Sequence, residues 1–355
     1  MRSLPLRRIG NLATVAIVAA ATLGTAAACG GDDESGGSAA GKPVTLRLGY
    51  FPNITHAPAI VGVEKGIFAE KLGPNVTLEP KTFNAGPEAI EAVFSGALDA
   101  TYIGPNPTVN AHSKSEGEAV RVVSGAASGG VALVVKPDIT SVEGLRGKKI
   151  ATPQLGNTQD VAIRYWLKEK GLTTTKEGGG DVSIVPQANS QTLETFRSGA
   201  IDGAWVPEPF VSQLVNAGGK VLVDERDLWP GGKFVITNLI VSTKFLKAHP
   251  DVVQNLVNGQ VAANDFVNKQ PNQAQQAISD HIGKITGKPL DLKLIKQAWP
   301  TLQFLDDPIA SSLKTGLDHA VAVGLTQPVD LNGLYDLSFL NKALKEQGET
   351  EVPLP

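Results

Sequence analysis

One cysteine stands in 355 residues. It leaves no partner for an internal disulfide and no ligand set for a Cys-rich zinc site or an iron–sulfur cluster. Aromatic residues make up only 5% of the chain, which argues against a wide base-stacking surface for nucleic acid. The five histidines are scattered, with no H-E-x-x-H spacing, and give no metal cluster. The phosphate-loop pattern G-x-x-x-x-G-K-[ST] is absent. So is the nucleophile elbow G-x-S-x-G, because Gly125-Ala126-Ala127-Ser128-Gly129 has the wrong spacing. Gly 38 and Pro 23 predict many turns, but no G-X-Y period runs through them. What remains is a chain 42% hydrophobic and 19% charged, with a net charge of −3. Its length suits about two globular domains.

The N-terminus reads as an address. Arg2, Arg7 and Arg8 precede an uncharged, Ala-rich run from Leu12 to Ala28. A positive start, an apolar stretch and small residues form a secretory signal, here residues 1–28. Cys29 follows Ala26-Ala27-Ala28 directly. This arrangement resembles the lipobox of bacterial lipoproteins, which implies that Cys29 is lipidated and becomes the mature N-terminus. Plain secretion with a free Cys29, or a retained membrane helix, are the alternatives. Residues 29–43 include the segment GGDDESGGSAAG, a flexible polar tether. Loss of the three arginines with the signal takes the net charge from −3 to −6. An acidic mature chain argues against a nucleic-acid partner.

The body repeats itself. At an offset of 103 residues, Thr55 matches Thr158, Ala59 matches Ala162, Ile60 matches Ile163 and Ala85 matches Ala188. Ser95-Gly96-Ala97 likewise matches Ser198-Gly199-Ala200, and Asp99 matches Asp202. The period is too long for a solenoid and fits two similar domains in tandem. Each half reads strand, helix, strand, helix, strand. The first-half strands are 44–50, 76–82 and 98–103; those of the second are 149–151, 182–185 and 201–206. This alternation predicts α/β domains with helices on both faces of a sheet. The tail beyond Pro250 reads as packing helices, near 271–283, 292–299 and 307–323, with His281 and His319 isolated among them.

In such sheets ligands sit outside the carboxyl ends of the strands. Those ends carry Asn53, Thr55, His56, Asn84 and Asn106 in the first half. In the second they carry Gln154, Asn157, Thr158, Gln159, Asn189, Trp205 and Glu208. Several open a helix, where free backbone N–H groups and the positive end of the dipole attract anions. The same residues also serve as helix caps and turn formers. Lys and Arg are missing from these loops. Trp205 either stacks on a ligand or closes the core. Glu208 either meets an amino group of a ligand or pairs with protein in the second half. His56 either donates to an anion or is an exposed turn histidine.

Five segments together resemble the substrate-binding lipoproteins of ABC importers in the sulfonate/taurine/nitrate family. They are Gly49–Ala57 (GYFPNITHA), Ser95–Ala100 (SGALDA), Val142–Ile150 (VEGLRGKKI), Asp202–Pro209 (DGAWVPEP) and Phe245–Val253 (FLKAHPDVV). Asp224–Pro230 (DERDLWP) looks closest to aliphatic sulfonate-binding members. The resemblance implies a two-lobed periplasmic-binding-protein-like fold of type II, each lobe a mixed sheet flanked by helices. It places lobe 1 at 44–134 plus 242–355 and lobe 2 at 135–241, with crossovers near 130–137 and 236–242. It adds Ser128 and Gly129 as ligand contacts.

The expectation is therefore an extracytoplasmic, monomeric solute-binding protein anchored to the cell membrane through Cys29. It needs no cofactor or metal and is not an enzyme. It captures a small anionic solute, an aliphatic sulfonate or taurine, and passes it to a permease. Nitrate, bicarbonate or a thiamine-precursor pyrimidine are alternative solutes. An enzyme on the same fold is the alternative of another class; the pyrimidine-synthase branch of that fold needs a Cys-rich motif that one cysteine does not supply.

Overall fold

A computed structural model describes residues 43–355. The signal 1–28, Cys29 and nearly all of the tether lie outside the described residues. Eleven strands are described there: β1 Val44–Tyr50, β2 Val76–Thr82, β3 Ala100–Ile103, β4 Val120–Gly129, β5 Val131–Val135, β6 Lys149–Thr152, β7 Ser183–Pro186, β8 Gly203–Pro207, β9 Lys220–Asp224, β10 Val235–Ser242 and β11 Leu302–Phe304. They form two sheets, of order β11-β4-β10-β3-β1-β2 and β7-β6-β8-β5-β9.

Both sheets are mixed. β1 runs parallel to β2 and β3, and β6 parallel to β7 and β8. β10 is antiparallel to β3 and β4, and β5 is antiparallel to β8 and β9. The central strands are buried on both faces, so β5 (VALVV) and most of β10 (VITNLIVS) read as continuous apolar runs rather than alternating ones.

The tandem repeat is visible in three dimensions. Asp99 accepts from the backbone N–H of Arg47 at 2.9 Å, and Asp202 accepts from that of Lys149 at 2.9 Å. Each aspartate thus ties the segment before a third strand to the first, at the middle of β1 and at the start of β6. The helices Gly86–Phe94 and Asn189–Arg197 keep the 103-residue offset. The first strands do not. Ala100 pairs with Leu48, but its counterpart Gly203 pairs with Ile150, an offset of one residue fewer. The repeat is therefore not gapless.

Two glycines at left-handed φ carry the chain from the first sheet to the second. Gly129 has φ 78° and Gly130 φ 69°, a conformation that costs glycine little. A Cβ on Gly129 would lie 2.4 Å from the Thr301 carbonyl oxygen. β5 already belongs to the second sheet, so the first crossing is at Gly130 rather than over 130–137. β10 belongs wholly to the first sheet, so the return runs through 225–234 rather than 236–242. The placement of the crossovers is corrected accordingly.

Helix Pro250–Lys269 covers the first sheet. It buries Val253, Leu256, Val257 and Val261 against helices Ala57–Glu64 and Ile67–Leu72. Phe68 is the wedge between them. A Cβ on Gly62 would sit 2.3 Å from its Cε2, and one on Gly259 would sit 2.6 Å from its Cδ1.

Candidate functional site

The carboxyl ends of the parallel strands of both sheets face a common small cavity of about 20 Å³, room for about one water molecule. The first sheet contributes Phe51, Asn53, Thr55 and His56 after β1, Asn84 after β2, Gly104 after β3, and Ile236 on β10. The second contributes Asn157, Thr158 and Gln159 after β6, Asn189 after β7, and Pro207 at the end of β8. The repeat reappears here: Thr55 and Thr158, His56 and Gln159, and Gly104 and Pro207 are counterparts at the offset of 103.

Each loop has a local reason for its shape. Asn53 and Asn157 stand at helix N-caps in extended conformation, yet neither side chain makes a capping bond. Capping does not consume them. Asp160, fully buried, holds the loop before Asn157: it accepts from Gly156 N–H at 2.9 Å, Thr152 Oγ1 at 3.1 Å and Arg164 Nε at 3.1 Å. Asn84 stays exposed and is tied to Glu88, whose Oε2 accepts from its backbone N–H at 3.2 Å. Thr237 Oγ1 donates to the Thr55 carbonyl at 2.9 Å and fixes the turn after β1.

The cavity wall carries no lysine or arginine. His56 does not supply a charge either. Burial pushes its imidazole down to about 3, so the ring is neutral at physiological pH. Its Nδ1 accepts from the Phe51 backbone N–H at 3.3 Å, which leaves the proton on Nε2 as a donor. So low a pKa makes His56 a poor general base near neutrality. Two wall atoms are buried with no hydrogen-bond partner, Thr158 Oγ1 and Asn189 Oδ1. Orphaned buried polar atoms cost free energy until something fills the space between them. The arrangement is a ring of neutral polar groups, donors such as His56 Nε2–H and the Thr158 hydroxyl among them, and of helix starts with unsatisfied capacity. Such a ring holds an ionised oxyanion by dipoles and lets it go again.

Eight of the residues expected from the sequence line this cavity: Asn53, Thr55, His56, Asn84, Asn157, Thr158, Gln159 and Asn189. Six do not. Asn106 lines a neighbouring cavity and donates to the Gly316 carbonyl at 3.0 Å. Ser128 Oγ accepts from Phe234 N–H at 3.2 Å, and Gly129 serves the crossing. The Gln154 carbonyl accepts from Asn157 N–H within its own loop. Trp205 lies in the core, edge-on to Trp166, its Nε1 donating to Glu225 Oε2 at 2.7 Å. Glu208 points away from the cavity, its two oxygens taken by the N–H and Oγ of Ser212 at 3.0 and 2.9 Å. Burial pushes its carboxyl up to about 7. Its backbone joins the two sheets: its N–H donates to the Gly130 carbonyl at 2.8 Å and its carbonyl accepts from Ile54 N–H at 3.1 Å.

Phe51, Gly104, Pro207 and Ile236 also line the cavity; the first three stand in the strand-end loops read from the sequence but were not among the expected ligand contacts. Gly104 and Pro207 carried a signal, since they are repeat counterparts at two strand ends. Ile236 carried none.

A second cavity of about 20 Å³ shares Thr158 with the first. Its wall includes Glu225, Trp229 and Phe234 from the return crossing. Ser312, Gly316 and His319 come from helix Ala310–Ala322. The tail is thus more than packing, because this helix brings His319 next to the site.

The sequence profile of the NMT1-like family matches residues 39–280, and the chain belongs to that family. It is 29% identical over 206 residues to the taurine-binding periplasmic protein of Escherichia coli; the match spans 58% of this chain and 62% of that protein's own length. It is 25% identical over 343 residues to a Bacillus subtilis protein assigned to the binding of aliphatic sulfonates, covering 93% of this chain and 96% of that one. Its fold is that of the periplasmic nitrate-binding protein of Synechocystis, with a TM-score of 0.73 at 15% identity over 85% of this chain and 89% of that one.

Proposed function

We propose that this protein is the extracytoplasmic solute-binding component of an ABC importer, and that its solute is a small oxyanion, an aliphatic sulfonate or taurine. The cavity between the two sheets carries the reading. It is walled by neutral polar groups that include the His56 Nε2 and Thr158 hydroxyl donors, leaves the Thr158 hydroxyl without a partner, and has no cation to hold an anion irreversibly. The two sheets act as lobes, residues 44–129 plus 235–355 and residues 131–224, closing on the solute across the two crossings. The closed form is what a permease receives. In this reading the chain works as a monomer held at the membrane by lipidated Cys29. The bond pattern around Glu208 supports a structural role for that carboxylate, so an anion in the cavity meets no opposing charge there.

A second solute is favoured by the cavity's size. Space for about one water holds neither solute until the sheets part, and a compact inorganic oxyanion, nitrate or bicarbonate, asks for less opening than a sulfonate. Calorimetric titration separates the two. Under the sulfonate reading, taurine or a short alkanesulfonate binds and nitrate and bicarbonate do not. The reverse result installs the inorganic anion. Binding only to an uncharged solute or to a thiamine-precursor pyrimidine overturns the oxyanion reading altogether.

A further inference from the structure

The neighbouring cavity has a different chemistry from the first. Glu225 is 1% exposed, and among the described residues its side chain has no cation partner and accepts only from two indoles, Trp205 Nε1 at 2.7 Å and Trp229 Nε1 at 3.4 Å. Trp229 stacks on Phe234 with ring centroids 5.4 Å apart. His319 lies 5.7 Å from Trp229 and stacks on Tyr165. Burial holds the His319 imidazole below its ordinary value, so this ring brings no charge to Glu225, and the adjacent Arg226 is paired with Asp224 instead. Thr158, whose hydroxyl is orphaned, separates this cavity from the first.

We infer that this second cavity is the subsite for the far end of the solute, and that it takes an ammonium group. The inference rests on the oxyanion reading of the first cavity and extends it to a zwitterion: oxyanion at the His56 Nε2 proton and the Thr158 hydroxyl, ammonium at Glu225. Two observations point the same way. A buried carboxylate met only by indole N–H groups is stabilised by a cation brought to it. The polar wall of the first cavity has no carboxylate, so an ammonium has only one end of the paired space to choose. Burial pushes the free Glu225 carboxyl up to about 7, and an arriving ammonium would return it to the ionised form.

The test uses 2-aminoethanesulfonate and propane-1-sulfonate, which share the head and match in length. Calorimetry on the whole protein is expected to show at least tenfold tighter binding of the amino compound. Glu225→Gln is expected to abolish that preference while leaving propane-1-sulfonate within threefold of its original affinity. Trp229→Phe keeps the Trp205–Glu225 bond and is expected to reduce the preference in part; it serves where Glu225→Gln melts early. Equal binding of the two sulfonates, or a preference that survives Glu225→Gln, overturns the subsite while the oxyanion reading stands. Binding of neither sulfonate overturns the sulfonate reading and this inference with it.

Discussion

Gly104 is where closure of the two sheets is most easily blocked. It lies after β3 in the first sheet, with φ −73° and ψ 161°, an ordinary extended conformation that alanine adopts freely. A Cβ there would stand 2.4 Å from Thr158 Oγ1, which belongs to the second sheet, and 3.6 Å from the Ile236 carbonyl oxygen. To restore normal contact, Thr158 must retreat by about 1 Å. Thr158 opens the helix after β6 in the second sheet, so its retreat draws the two sheets apart and the strain falls on their approach. Overpacking of this kind costs about 1–3 kcal/mol. If it is charged against the closed form alone, Gly104→Ala should weaken solute binding by about 5- to 150-fold. The melting temperature of the solute-free protein should move little, because neither sheet is disturbed internally. Titration calorimetry reads the first quantity and scanning calorimetry the second; small-angle scattering should show a larger radius of gyration with solute than wild type has. Wild-type affinity in Gly104→Ala would refute the argument that this contact limits closure. A large drop in melting temperature with no change in affinity would show that the contact supports folding instead.

Three further predictions follow from single contacts. Thr158→Val removes an orphaned buried hydroxyl at nearly constant volume, so the solute-free protein should gain about 1 kcal/mol while solute binding weakens; stability and affinity falling together would count against a binding role. Glu208 holds in the folded state, up to about pH 7, a proton that the unfolded chain releases near its ordinary value of 4.5. Its contribution is therefore fully present below pH 4.5 and is lost as the pH rises to about 7, a change of roughly 2–3 kcal/mol. Glu208→Gln should flatten that part of the stability profile in urea melts at pH 5 and pH 8, and an unchanged slope would refute the assignment. Gly62→Ala should force a Cβ against Phe68 and lower stability by about 1–3 kcal/mol, with affinity for the solute unchanged in the folded protein.

The strand ends were legible because β/α units place them by rule. A strand of hydrophobic residues, then a polar run, then helical spacing puts the polar run at the carboxyl edge whatever the later packing. Asn53, Thr55 and His56, and Asn157, Thr158 and Gln159, were found that way, and the repeat doubled the signal. The antiparallel strands β5, β9 and β10 were not legible. Their pairing depends on distant partners, Val241 of β10 on Ala100 of β3 being 241 − 100 = 141 residues away, and leaves no local period, which is also why the crossings were misplaced by several residues.

Side-chain fates were decided by tertiary structure alone. Glu208 stands just past the end of β8 as a ligand contact would, and Trp205 at its centre, but Ser212 and Glu225 claim them, and neither partnership has a signature in the spacing. Residues 225–234 and helix Ala310–Ala322 are distant in sequence and meet only when the chain returns to the first sheet. The residues by themselves determined two β/α halves and a polar rim without cations, because periodicity and composition act locally. Which rim residues face the cavity, and that His319 and Trp229 stand behind it, was decided by the folded packing, because long-range contact is a property of the path the whole chain takes.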